Sequence, residues 1–126
     1  MHDSYLGQLH PSGARQGLAA VVVALLLRWG LSPDKQAELL DVTDIGPFRD
    51  GGPLPDDPDV LERAGHLVAI ERALQWLYPD DRVMRDHWIS FRNEELGGLS
   101  PLAVMLRDHK GFETVRALLD SRRNRA

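Results

Sequence analysis

The sequence predicts an all-α fold, a compact bundle of about six or seven short helices. Apolar residues recur at intervals of three and four along most of the chain, which is typical of helices that bury one side. No stretch alternates apolar and polar residues over the length of a strand. With 126 residues, 43% of them apolar, the chain is long enough to bury a hydrophobic core.

The N-terminal half, residues 1–58, is predicted to begin with a loose lead at 1–11 and a long apolar helix. Ser12 is expected to cap this helix, which runs through Trp29. Its longest apolar run is about ten residues, half of what a bilayer requires, so we expect a buried helix and no contact with a membrane. Gly30 is expected to end it.

A second helix is predicted directly after this stop. Ser32 is a favourable cap, and the proline that follows it suits the first helical position, so the helix should extend from Pro33 to about Leu40. Beyond it, Gly46 and Pro47 are expected to disfavour a helix. The segment 51–58 is rich in glycine and proline and predicts an irregular connection.

The C-terminal half, residues 59–126, is predicted to contain four helices. A long one runs from Asp59 to Tyr78, a short one ends at Phe91, a third spans Ser100–Asp108, and a last one follows a break at Gly111. Expected to be buried are Val83, Met84, Trp88, Phe91, Phe112, Val115, Leu118 and Leu119; expected on the polar side of the long helix are Glu62, Arg63, Glu71 and Arg72.

Charge is unevenly distributed along the chain. Residues 1–81 hold 6 basic and 13 acidic residues, a net charge of −7, whereas residues 82–126 hold 9 basic and 6 acidic residues, a net charge of +3. Because phosphate contacts supply most non-specific affinity for nucleic acid, the acidic half is poorly suited to it. An anionic partner should meet the C-terminal half. The absence of cysteine excludes disulfides and fits a cytoplasmic location.

No sequence motif indicates catalysis, so we expect neither enzymatic activity nor a cofactor. The chain lacks a G-x-S-x-G elbow, a P-loop and a G-x-G-x-x-G loop. The histidines do not form an H-x-x-x-H or H-E-x-x-H pair, so a metal site is not expected either. They stand at positions 2, 10, 66, 87 and 109.

The stretch 29–50 has the outline of a helix-turn-helix, and its residues 31–42 resemble the first half of an Xre-type motif. Thr43 and Arg49 are the candidate DNA-binding residues, since the second helix of such a motif contacts the bases. Three acidic residues would face the phosphates there: Asp41, Asp44 and Asp50. Two interpretations stay open, a helical scaffold without DNA contact and weak DNA binding.

Three further segments carry a family resemblance. They are Arg28–Ser32, Leu61–Asp80 and, most specifically, Trp88–Leu102, which reads W-I-S-F-R-N-E-E-L-G-G-L-S-P-L. In this order they resemble the toxin-binding domain of the Xre/MbcA/ParS antitoxins, in which W-x-x-x-P/R-N-x-x-(F/L)-G-G-x-(S/T)-P-L joins two helices. The resemblance covers about residues 15–124. Arg92 stands where the family often has proline.

The resemblance implies a function. The protein would be the antitoxin of a type II toxin–antitoxin module, and its partner a RES-domain toxin that degrades NAD or transfers its ADP-ribose. The C-terminal region would block access to the NAD pocket, and the antitoxin would form a homodimer. The alternative is a transcriptional repressor of its own operon that acts through the helix-turn-helix.

The candidate toxin-binding surface combines the Trp88–Leu102 segment with the basic C-terminal tail. Guanidinium groups suit a pocket that binds pyrophosphate or holds acidic groups, although an ordinary solvated basic end is the alternative. Trp88 and Phe91 are either core residues or interface residues, and Asn93 and the two glycines either shape the backbone or touch the partner. The candidate residues are Arg92, Asn93, Leu96, Gly97, Gly98, Ser100, Arg122, Arg123 and Arg125.

Overall fold

A computed structural model describes residues 11–125, and this part of the chain is all-helical, as the sequence predicts. The prediction for the lead at 1–11 lies almost entirely outside the described residues. The helices are α1 (Ser12–Arg28), α2 (Pro33–Leu40), α3 (Gly46–Arg49), α4 (Pro58–Leu77), α5 (Arg82–His87), α6 (Pro101–Arg107) and α7 (Lys110–Arg125), with 3₁₀ turns at Trp88–Ser90 and Glu94–Leu96.

Helix α1 begins one residue earlier than predicted. Ser12 is its first helical residue and Pro11 occupies the cap position, where no side chain accepts a hydrogen bond, so the prediction of a serine cap was wrong. The predicted stop is confirmed. Gly30 adopts a φ of +77°, and Leu31 N donates to Leu26 O at 3.2 Å, which satisfies a carbonyl that the helix end leaves open.

Helix α3 corrects the prediction that Gly46 and Pro47 disfavour a helix. Both lie in the first turn of this four-residue helix, where backbone N–H groups have no partner inside the helix. Proline, which lacks this N–H, therefore loses no hydrogen bond there. Asp44 Oδ1 accepts from Gly46 N at 2.9 Å and orients the start. The helix ends after one turn at Arg49.

Helix α4 is central because it packs against both α1 and α7. Glu71, expected on its polar side, is buried with 8% of its surface exposed, and that prediction was wrong. The reason is that neighbours cover two sides of α4, so a single apolar stripe underestimates its buried surface. Arg28 at the end of α1 forms an ion pair with Glu71 across this contact.

The C-terminal helices depart from the predicted core at two positions. Val83 on α5 is 68% exposed, and Phe91 is 48% exposed. Phe91 has extended backbone, φ −85° and ψ 140°, because it ends the 3₁₀ turn. The turn instead buries Trp88 and Ile89. Gly111, expected as a break, lies inside the first turn of α7 and is buried.

One cluster of buried apolar residues extends from Ala19 to Leu119 and includes residues of both predicted halves. At its centre lie the facing sides of α1, α4 and α7. Within residues 11–125, no helix combines the length and the apolar character needed to cross a bilayer.

Candidate partner-binding surface

The connection between α5 and α6 is held by hydrogen bonds around Asn93. Its side-chain Oδ1 accepts from Glu95 N at 3.0 Å, and its backbone N donates to Leu99 O at 3.0 Å. Gly98 N donates to Asn93 O at 2.9 Å. Because these bonds close the connection on itself, Asn93 shapes the backbone, one of the two alternatives that the sequence left open.

Two positions of this connection require glycine because of their backbone conformation, not because neighbouring atoms leave too little space for a side chain. Gly97 and Gly98 have φ values of +68° and +85°, and a Cβ added to either would meet no heavy atom within 4 Å. Residues with a side chain rarely adopt this left-handed region. Both glycines are exposed, and Leu96 beside them is half-buried. This tip of the connection is therefore open to a partner.

Ser100 is a helix cap, since its Oγ accepts from Ala103 N at 3.1 Å at the start of α6. We expect Ser100→Ala to lower the free energy of unfolding by about 1 kcal/mol, because it leaves this N–H without its partner. Urea unfolding measures the change. Ser121→Ala, an exposed position inside α7, is the matched control and should change the value by less than about 0.5 kcal/mol. Equal effects of the two variants would refute the capping role.

Arg122 joins the connection to the last helix. Its Nη2 lies 3.3 Å from Glu95 Oε1, and its guanidinium lies 5.7 Å from the centre of the Trp88 ring. Trp88 is thus a core residue covered by Arg122, whereas Phe91 remains exposed. A cleft of about 370 Å³ opens here, lined by Tyr78, Met84, Trp88, Phe91, Arg92, Asn93, Glu94, Glu95 and Arg122.

The predicted basic tail is helical. Residues 121–125 continue α7, and Ala126 lies outside the described residues. Arginines favour the last turn of a helix because they oppose the partial negative charge of its carbonyl end. Of the three predicted residues, Arg122 faces the connection, while Arg123 and Arg125 are exposed.

Sequence reasoning missed Trp76 as a surface residue. The Arg123 guanidinium lies 5.3 Å from the centre of the Trp76 ring, and Trp76 is 51% exposed. The available signal was its position, because Trp76 falls outside the apolar stripe of α4 that the spacing defines. Trp76 and Arg123 thus form an exposed aromatic and basic pair, called the arginine–aromatic surface below.

The candidate DNA-binding residues lie elsewhere. Thr43 and Arg49 are both exposed, beside the single turn of α3. The exposed neighbours Asp41, Asp44 and Asp50 surround them with negative charge, which opposes phosphate. DNA binding stays a prediction.

Comparison of the chain with known protein families gives no matching family, and no curated protein matches its sequence. The resemblance described above therefore rests on the motifs themselves and on their order.

Proposed function

We propose that this protein is a cytoplasmic antitoxin that binds and neutralises a RES-domain toxin, an enzyme that consumes NAD. It acts by binding, without catalysis and without a cofactor of its own. The observation that carries the proposal is the meeting of the G-G-x-S-P-L connection with the end of α7, where Arg122 contacts Glu95. Two segments that the resemblance assigns to toxin binding thus share one surface.

Exposed side chains of these two segments and of α4 support the proposal. Arg92, Arg123 and Arg125 are exposed, and guanidinium groups bind pyrophosphate and carboxylates in pairs of hydrogen bonds. Phe91 and Trp76 are about half exposed, and aromatic and arginine residues contribute most of the energy of protein interfaces. A basic end of α7 presented to an NAD pocket would pair with acidic groups of that pocket and block the entry of NAD.

The test is co-expression with the product of the adjacent gene. We expect the full chain to co-purify with that protein and to restore growth of cells that produce it. A variant without residues 121–126 should restore growth poorly, because it lacks the arginines at the end of α7. Full rescue by the truncated variant would overturn the role of this helix end, and failure to co-purify would overturn the antitoxin proposal itself.

We propose further that the antitoxin forms a homodimer through α1. One side of this helix packs in the core, but the opposite side is exposed and carries no charged residue from Gly13 to Leu27; Arg28, which pairs with Glu71, ends this apolar strip. Gly13 and Gly17 on this side have open space around them, and small residues allow a second helix to approach closely. The exposed residues are Gly13, Gly17, Ala20, Val21, Ala24 and Leu27.

Val21→Glu is expected to convert the dimer to a monomer, because it places a charge in the centre of an apolar contact. Light scattering after gel filtration measures the mass. Val83→Glu is the matched control, since Val83 is also an exposed helical valine, 68% against 54% for Val21, but lies on α5. A monomeric parent protein, or dimerisation unaffected by Val21→Glu, would contradict this arrangement.

A further inference from the structure

Three potential metal ligands converge at the other end of α4, at a distance from the arginine–aromatic surface. Glu62 and His66 stand one turn apart on α4, and His109 lies directly before α7. One ligand atom from each lies within 4.8 Å of the others. His66 Nε2 is 3.7 Å and His109 Nε2 is 3.3 Å from Glu62 Oε1. Two histidines that are 43 positions apart in sequence, His66 and His109, thus face one carboxylate oxygen.

The hydrogen bonding of the two histidines is incomplete. His66 is buried, with 8% of its surface exposed, and its Nε2 has no hydrogen-bond partner because Glu62 Oε1 is too distant. His109 Nδ1 lies 2.7 Å from Asp59 Oδ1, but this pair lacks the alignment of a hydrogen bond. A buried polar nitrogen without a partner is costly unless something else satisfies it.

We propose that Glu62, His66 and His109 bind a divalent transition-metal ion, with Zn²⁺ the best match. Zinc binds imidazole nitrogen and carboxylate oxygen at about 2.0–2.2 Å, which places two ligands of one ion about 3.3–3.6 Å apart. The two distances to Glu62 Oε1 are already close to this separation. Two imidazoles and one carboxylate also form a recurrent zinc ligand set.

Residues around the cluster fix the two imidazole rings. The Phe112 ring stacks on the His66 ring at 5.9 Å and lies against the His109 ring at the same distance. With a metal ion on His109 Nε2, the Nδ1–H would face the Asp59 carboxylate, an arrangement that orients metal-binding histidines in many proteins. At His109 the ring would have to turn so that Nδ1–H points at Asp59 Oδ1, and the metal ion would replace the hydrogen bond between Nε2 and Glu62 Oε1.

Arg116 competes with the metal ion at His66. Its Nη1 lies 3.1 Å from His66 Nδ1, and since a guanidinium only donates, Nδ1 accepts and the proton of the neutral ring sits on Nε2. Burial, then Arg116, lowers the pKa of His66, which favours the neutral ring. Metal binding at Nε2 moves that proton to Nδ1 and displaces Arg116, which is half-buried, toward solvent. Removing Arg116 should therefore strengthen binding.

The experiment is a titration of the untagged full chain with Co²⁺, followed by absorbance, and with Zn²⁺, followed by calorimetry, after treatment with EDTA. His2→Gln and His10→Gln are introduced throughout to remove the N-terminal histidines. We expect one equivalent of metal to bind. Glu62→Gln, His66→Gln and His109→Gln should each weaken binding at least about tenfold. Arg116→Gln should tighten it by a similar factor, and His87→Gln, an exposed histidine elsewhere, should leave it unchanged.

Loss of metal binding can be distinguished from loss of folding. Glu62 is exposed, so its substitution keeps the fold, and circular dichroism in EDTA checks the histidine variants. The absence of saturable binding, or binding unaffected by Glu62→Gln and His109→Gln, would overturn the proposal. His66 lies ten residues before Trp76, about 15 Å along α4, so the site variants should still neutralise the toxin. The metal-binding proposal is therefore tested independently of the antitoxin proposal.

Discussion

Gly111→Ala is expected to lower the free energy of unfolding by about 3 kcal/mol, the largest effect of any single substitution considered for stability. An added Cβ would lie 2.1 Å from Val104 O and 3.0 Å from Met105 Cα. Both are backbone atoms of α6, so no side chain can rotate away. The methyl group would force α6 and α7 apart at this contact.

Gly65→Ala is the matched control. Gly65 is also a helical glycine, on the exposed side of α4, and a Cβ there meets nothing within 4 Å. Alanine should stabilise this position by about 0.5–1 kcal/mol, because it lowers the entropy of the unfolded chain. Urea unfolding of both variants measures whether the free energy of unfolding falls with Gly111→Ala and rises with Gly65→Ala. A stable Gly111→Ala protein would show that α6 and α7 do not approach each other as described.

Arg123→Glu is expected to have the largest effect on toxin binding, a loss of about 30-fold or more in affinity, equivalent to about 2 kcal/mol. Arg123 is exposed and, within residues 11–125, forms no ion pair; its contact is with the ring of Trp76. Reversing its charge places a carboxylate where an anionic group of the partner is expected. The fold should keep its stability within about 1 kcal/mol.

Arg49→Glu provides the comparison for this substitution, because it makes the same charge change at an exposed helix end in the N-terminal half. Its affinity for the toxin should match that of the parent protein. Biolayer interferometry with the purified toxin measures both values. Equal affinities of Arg123→Glu and the parent protein would remove the end of α7 from the interface. A loss with Arg49→Glu alone would place the interface on the N-terminal half.

Helix boundaries were the most predictable part of the fold, because they depend on residues close in sequence. The starts at Ser32 and Ser100 and the stop at Gly30 are confirmed, each with the hydrogen bonds that the residue type predicts. Burial was less predictable. Glu71 and Phe91 were placed wrongly because burial depends on how many neighbours cover a helix and on backbone direction after a turn.

For the candidate site, the sequence identified the connection between α5 and α6 but not the residues that contact it. The residues of the connection between α5 and α6 could be named from the motif, and Asn93 and the glycines play the backbone role that was one alternative. The pairing of Arg122 with Glu95 spans 27 positions, and only the packing of α7 brings the two together. Trp76 likewise gains its importance from Arg123 stacking on it.

Gly111 illustrates the same limit. From sequence, a glycine between two apolar segments indicates a break, and the break was expected there. In the structure the residue is helical, and its missing side chain allows backbone contact with α6. A close approach between helices and a helix stop require the same residue type, so sequence alone does not separate them.

The most direct test of the antitoxin proposal is the rate of NAD consumption by the purified product of the adjacent gene, titrated with this protein. We expect the rate to fall in proportion to added antitoxin until the toxin is saturated. The Arg123→Glu variant should require far higher concentrations for the same effect. An unchanged rate of NAD consumption at saturating concentrations of a demonstrably folded protein would contradict the proposal.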